Sequence, residues 1–188
     1  MKCFDYTELP REQWVGGVGE VRDIVCWPEA DDFVWRACFT SIHKNGVLGQ
    51  FPAIERAIVL LKGKGLRLTR PGFLEHELVQ KMSPFYFSGN TQGNVELLEG
   101  SVQCFNIMTR SPDWVSEISF VTDERQLPTS HSGVLYVLKG RWEITGTNNV
   151  QLAFGQGAWW LPDDMREGVI KPLVTDSQLL WVDLHPTE

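Results

Sequence analysis

Polar and apolar residues alternate with a period of two along much of this chain. In "RWEIT", Trp142 and Ile144 fall on one side, and Arg141, Glu143 and Thr145 on the other. That is the pattern of a strand covered on one face. The segment "RAIVLLKGKGLRLT" holds two short apolar runs around a Gly-rich turn, which predicts a hairpin. The same signature returns as "GVLYVLKGRWEIT". Further strands are expected at "DFVWRACFTSI", "NVELLEG", "VQCFNIMT", "EISFVT" and "QLLWVDLH". Helical periodicity is scarce, so few short helices are expected.

The stretch "CFNIMTR" sharpens the picture. Strand parity places Cys104, Asn106, Met108 and Arg110 on one face, and Phe105, Ile107 and Thr109 on the other. The second set reads as core. The first combines an amide, a thioether and a guanidinium. Inside a barrel these would line a polar-tipped cavity: Met as adaptable wall, Asn as donor and acceptor, Arg as a five-donor fork. Facing outward, they would serve packing alone. Parity leaves both orientations open, and the inward one is the expectation.

The chain repeats itself. "VLLKGKGLRLT" (59–69) matches "YVLKGRWEIT" (136–145) at Leu-Lys-Gly, and each copy runs strand, Gly turn, strand, then Pro near aromatic residues. Many short strands in two copies predict an all-β protein of two packed barrels. The boundary is expected near "RSPDW", giving residues 1–112 and 113–188, with the more complete pocket in the first half.

Composition narrows the classes of function. The 188 residues are 43% hydrophobic and 22% charged, with a net charge of −7, which suits a globular protein. No Lys/Arg run tracks phosphates, so no nucleic-acid partner is expected. "MKCFDYTELP" lacks a signal-like apolar stretch, and no segment has the apolar length to span a bilayer, so no membrane partner and a cytoplasmic location are expected. Four cysteines lie scattered without CxxC spacing and read as free thiols rather than a zinc site. His43, His76, His131 and His185 lack ligand spacing, so no metal or other cofactor is expected. No G-x-S-x-G elbow is present, and the cluster "GGVGEVR" lacks the strand-to-helix setting of a phosphate loop. The eight tryptophans read as core, or as an oligomer interface in a possible homodimer.

Four segments carry a resemblance: "WVGGVGEVRDI" from Trp14, "FVWR" ending at Arg36, "GQFPAIER" from Gly49 to Arg56, and "CFNIMTR". Together with "YVLKG" followed by a later Gly and Pro, they resemble the HutD/Ves family of small bicupins, over about residues 6–183. The resemblance implies a bicupin of two RmlC-like jelly-roll barrels, with a role as sensor or accessory in amino-acid catabolism, histidine utilisation above all. Carried onto these segments, the candidate ligand-binding residues are Trp14, Arg22, Arg36, Glu55, Arg56, Asn106, Met108 and Arg110. The chain departs from the family pattern at Val15, Gly16, Val21, Asp23 and Cys104, where several polar groups are lost, which implies a different ligand or none.

Three functional readings remain open. The leading one is a metal-free binder of a small carboxylate- or amide-bearing molecule, with Arg22, Arg36, Glu55, Arg56, Asn106 and Arg110 gathered round one pocket. The second is a metal-independent enzyme acting on a small acid or amide, with Glu55 as general acid/base and an arginine orienting the substrate. The third is a structural module without a ligand, whose barrels serve only assembly and in which Glu20, Asp23 and Glu55 neutralise the arginines.

Overall fold

A computed structural model describes every residue except 15, 16, 71, 73, 91, 147, 148, 165, 166 and 188. It is built from strands. In chain order they are β1 (Lys2–Asp5), β2 (Glu12–Gln13), β3 (Gly19–Trp27), β4 (Trp35–Ile42), β5 (Gly46–Leu48), β6 (Ile54–Lys62), β7 (Leu66–Arg70), β8 (Leu74–Leu78), β9 (Phe85–Ser88) and β10 (Gly93–Leu97). After these come β11 (Val102–Arg110), β12 (Trp114–Val121), β13 (Arg125–Gln126), β14 (Ser132–Lys139), β15 (Arg141–Thr145), β16 (Val150–Ala153), β17 (Gln156–Trp160), β18 (Val169–Pro172) and β19 (Gln178–Pro186). The single helical element among the described residues is a 3₁₀ turn at Pro162–Asp164.

The strands form two compact units. One comprises Pro10–Val115 with Thr187, and the other Met1–Leu9 with Ser116–Pro186. The first unit ends at 115, where the expected boundary is 112. The N-terminal segment, however, belongs with the second barrel, because β1 pairs antiparallel with β17, Lys2 opposite Trp159. Long-range pairing of this kind leaves no local mark in the sequence.

The unit containing Pro10–Val115 has a six-stranded sheet, β2-β3-β4-β11-β6-β9, and a four-stranded sheet, β5-β10-β7-β8. Its core lies between them: Ile42, Ile58, Leu60, Val102 and Cys104 from the first meet Leu48, Leu66, Leu68 and Val95 from the second. The other unit repeats the plan, with β1-β17-β14-β19-β12 facing β13-β18-β15-β16. Its core is heavier, with Trp142, Trp160 and Trp181 all fully buried.

The two expected hairpins are not hairpins. β6 and β7 lie in different sheets, as do β14 and β15. The Gly turn between each pair is a corner that carries the chain from one sheet to the other. Gly63 has φ +100°, and a Cβ there would lie 2.6 Å from the Ser101 carbonyl oxygen. Gly140, its counterpart in the repeat, has φ +80°, and a Cβ would lie 2.1 Å from Ser177 Oγ. Positive φ and a crowded inner side both demand glycine. The Leu-Lys-Gly repeat therefore marks the same corner in both barrels.

Candidate functional site

The inward face of the six-stranded sheet changes character along its strands. On β4 it runs from Ile42, in the core, through Thr40 and Cys38 to Arg36. On β11 it runs from Val102 and Cys104 through Asn106 to Met108. On β6 it runs from Leu60 and Ile58 to Arg56. The apolar end closes the barrel. The other end opens into a cavity of about 530 Å³. Its lining includes Arg36, Cys38, Thr40, Arg56 and Met108 from these strands, Val21 from β3, and Trp14, Gly49, Gln50 and Phe51 from connections. Glu12 and Gln13 of β2 complete it.

Register explains this grouping. Met108 stands opposite Arg36 on one side and opposite Arg56 on the other, so the three form a row across β4, β11 and β6. Neighbouring strands lie just under ~5 Å apart, which puts the two arginine backbones roughly 10 Å from each other. The thioether fills the space between them.

The two guanidiniums have opposite surroundings. Arg36 is forked onto Asp23, Nε to Oδ1 at 2.7 Å and Nη2 to Oδ2 at 2.9 Å. Burial works against its charge, yet the hydrogen bonds and charge of Asp23 outweigh that and hold its pKa above the ordinary value. Arg56 is 3% exposed, and among the described residues no carboxylate pairs with it. Its Nε meets no acceptor, and its Nη1 makes only a long 3.4 Å bond to the Gly49 carbonyl. Its remaining support is aromatic: the guanidinium carbon lies 5.3 Å from the Phe51 ring centre and 5.1 Å from that of Phe87. A desolvated cation–π contact contributes about 2 kcal/mol. Burial, aided by Arg70 and Arg36, pushes the Arg56 pKa down to about 10. It remains cationic at neutral pH. Arg70, whose guanidinium carbon lies 5.6 Å from the Phe87 ring centre, is also buried; its Nη2 donates to the Ser88 carbonyl and its Nε meets no acceptor.

The thiol of Cys38 is pushed up to about 12 by burial. It is a neutral wall of the cavity and not a nucleophile. Thr40 Oγ1 accepts from the Asn106 amide at 2.9 Å, so Asn106 supports the cavity through Thr40 and does not line it.

The candidate residues therefore divide. Trp14, Arg36, Arg56 and Met108 line the cavity, with Asn106 directly behind. Arg22, Glu55 and Arg110 do not, so the expected gathering of six polar side chains is not what the structure contains. Arg22 follows Val21, which lines the cavity, so strand alternation sends Arg22 to the opposite face. Glu55 precedes Arg56 and is turned away for the same reason. Arg110 has the inward parity but sits at the strand end, where its Nη2 contacts Asp32 Oδ1 at 2.5 Å and the Phe33 carbonyl at 2.8 Å. Phe105, Ile107 and Thr109 are buried on the opposite face of β11, as parity requires. Val15 and Gly16 lie outside the described residues.

Cys38, Thr40, Phe51, Gln50, Gln13 and Glu12 were not nominated from sequence. The first two could have been found by counting in twos from Arg36. Phe51 and Gln50 lie within "GQFPAIER" but in its loop, where no periodicity speaks. A metal ion does not suit the floor of this cavity, where the unmatched Arg56 cation stands and the Cys38 thiol is neutral. Among the described residues no three His, Cys, Asp or Glu side chains converge as a metal site.

The HutD family model matches residues 6–178. This chain belongs to the HutD family. Relatives of this HutD-family chain include Protein Ves of Cronobacter sakazakii, 32% identical over 98% of both chains. Protein Ves of Escherichia fergusonii is 36% identical over 98% of this chain and 94% of its own. Among solved structures, HutD from Pseudomonas fluorescens superposes with a TM-score of 0.82 at 18% identity, covering 100% of this chain and 99% of that one. Oxalate decarboxylase of Bacillus subtilis matches with a TM-score of 0.66 at 7% identity, over 98% of this chain and 76% of that one. These likenesses are in fold alone: the HutD-family chain has the bicupin fold, two jelly-roll barrels. No described helix is long and apolar enough to cross a membrane.

Proposed function

We propose that the chain binds a small carboxylate-bearing metabolite in the cavity of its Pro10–Val115 barrel, without a metal, as a sensor or accessory in amino-acid catabolism. One observation carries this reading. Arg56 is a buried cation with an unused donor edge, and it lines an open cavity. Keeping such a charge out of water costs several kcal/mol unless an anion reaches it. A carboxylate in the cavity would accept from Nη2, the guanidinium nitrogen that neither makes a hydrogen bond among the described residues nor is sealed off like Nε. Thr40, already accepting from Asn106, retains its hydroxyl hydrogen for a further acceptor. Trp14, Phe51 and Met108 offer apolar contact to the body of the ligand. The catabolic role rests on the family alone.

Calorimetric titration with a panel of small carboxylates, urocanate and formylated amino acids among them, tests the reading. At least one should bind, and Arg56→Lys should weaken it about ten- to a hundredfold, the equivalent of a charge-assisted bond of about 1.5–3 kcal/mol. A panel without binders, or binding indifferent to Arg56→Lys, would sink the proposal. The enzymatic alternative loses its nominated acid/base, since Glu55 faces away from Arg56.

A further inference from the structure

We infer that the cavity selects a two-ended ligand: a monocarboxylate whose far end carries a cationic or N–H-donating group, held at the mouth by Glu12. The inference rests on the carboxylate site at Arg56 and specifies what else the ligand must carry.

The lining is ordered by depth. Arg56, Cys38, Thr40 and Met108 are buried and form the floor. Trp14 and Phe51 are half-buried walls, while Glu12, Gln13 and Gln50 are exposed and form the mouth. Glu12 is brought there by register: it stands opposite Val21, and Val21 itself lines the cavity. Side chains opposite each other on paired strands share a face. Among the described residues Glu12 has no ion-pair partner, whereas Arg36 deeper in the cavity is already matched by Asp23.

The charges therefore run positive at the floor and negative at the rim, with apolar walls between. One reachable cation at the floor is uncompensated, so one carboxylate satisfies it; Arg70 adds its field from beside the Phe87 ring but does not line the cavity. A second carboxylate at the far end of the ligand would meet Glu12 and be repelled. An ammonium, or a ring or amide N–H, would meet an acceptor instead, with Gln13 and Gln50 beside it. The rim is wet, so its preference is smaller than the anchoring at the floor.

Three probes with one ring and different para substituents separate these contributions. They are para-(aminomethyl)benzoate, para-methylbenzoate and terephthalate, titrated calorimetrically at neutral pH and low ionic strength. The amine should bind about two- to fivefold more tightly than the methyl compound, the range expected of an exposed ion pair, and terephthalate should be weakest. Glu12→Gln should bring the amine down to the methyl compound and leave the latter unchanged. Arg56→Lys should weaken all three alike. Equal affinities, a preference for terephthalate, a preference that survives Glu12→Gln, or no binding by any of the three would overturn the inference. The carboxylate anchor is tested separately, by whether any acid of the wider panel binds in an Arg56-dependent way.

Discussion

The two barrels share a plan and use their interiors in opposite ways. In the unit containing Ser116–Pro186, buried charge is neutralised within the protein. Asp183 accepts from Arg125 at 2.9 Å and from the Trp181 indole at 2.8 Å, and bonds the His131 ring at 2.8 Å. The indoles of Trp142, Trp160 and Trp181 take up the volume, with the last two 5.2 Å apart. In the unit containing Pro10–Val115, the corresponding volume is left as a cavity and the Arg56 charge is left unmatched. The first arrangement stabilises a fold. The second gives up stability for a place where an anion can go, as functional sites commonly do.

The sharpest way to break this contrast is to empty the packed barrel. Trp160→Ala should cost about 3–5 kcal/mol in urea denaturation, because the indole is fully buried and leaves a void. A cost below about 1 kcal/mol would mean that this interior is not close-packed. The matching change in the other barrel should act in reverse. Arg56→Met removes an unpaired buried charge and should leave the unfolding free energy unchanged or raise it by about 1 kcal/mol, while abolishing carboxylate binding. A large loss of stability would show that Arg56 is structural, held chiefly by Phe51 and Phe87.

Solution pH sharpens the same point. Arg56 titrates near 10, depressed first by burial. Affinity should be level through neutral pH and fall as pH rises past that value, because the neutral side chain loses its charge. The fall begins at the pKa of the free protein and ends at the higher pKa of the complex, since a bound carboxylate favours the cation. An affinity that stays flat well above pH 10 would argue that another group holds the ligand. The smallest effect belongs to Arg110. Arg110→Lys should change ligand affinity less than twofold and stability by under about 1 kcal/mol, since neither it nor its exposed partner Asp32 lines the cavity. A tenfold loss of affinity would bring Arg110 back into the site.

Much of this was legible in the sequence. Alternation showed the strands, the Leu-Lys-Gly repeat showed two barrels, and parity along "CFNIMTR" separated Met108 and Asn106 from Phe105 and Ile107. What misled was adjacency. Arg22 sits beside Val21, and Glu55 beside Arg56, so a motif read as a string nominates both neighbours although a strand can send only one of them inward. Arg36 and Arg56 look alike in sequence, and only the position of Asp23 across β3 and β4 shows which one is already paired. The corners at Gly63 and Gly140 were visible as turns, but a glycine turn does not say whether its strands stay in one sheet. The rim residue Glu12 carried no sequence signal, because a two-residue strand has no periodicity.

The pairing of β1 with β17 has a bearing on how the molecule comes into being. Lys2 and Trp159 are partners although more than 150 positions separate them. During synthesis β1 emerges long before any strand it can pair with. All of the intervening Pro10–Val115 segment, with its own core, is made by then, so it can fold on a ribosome while β1 waits unpaired and Thr187 joins it last. Contacts so distant are entropically slow to close and place the second barrel among late-forming structure. The barrel that carries the cavity is thus the one the chain can fold first.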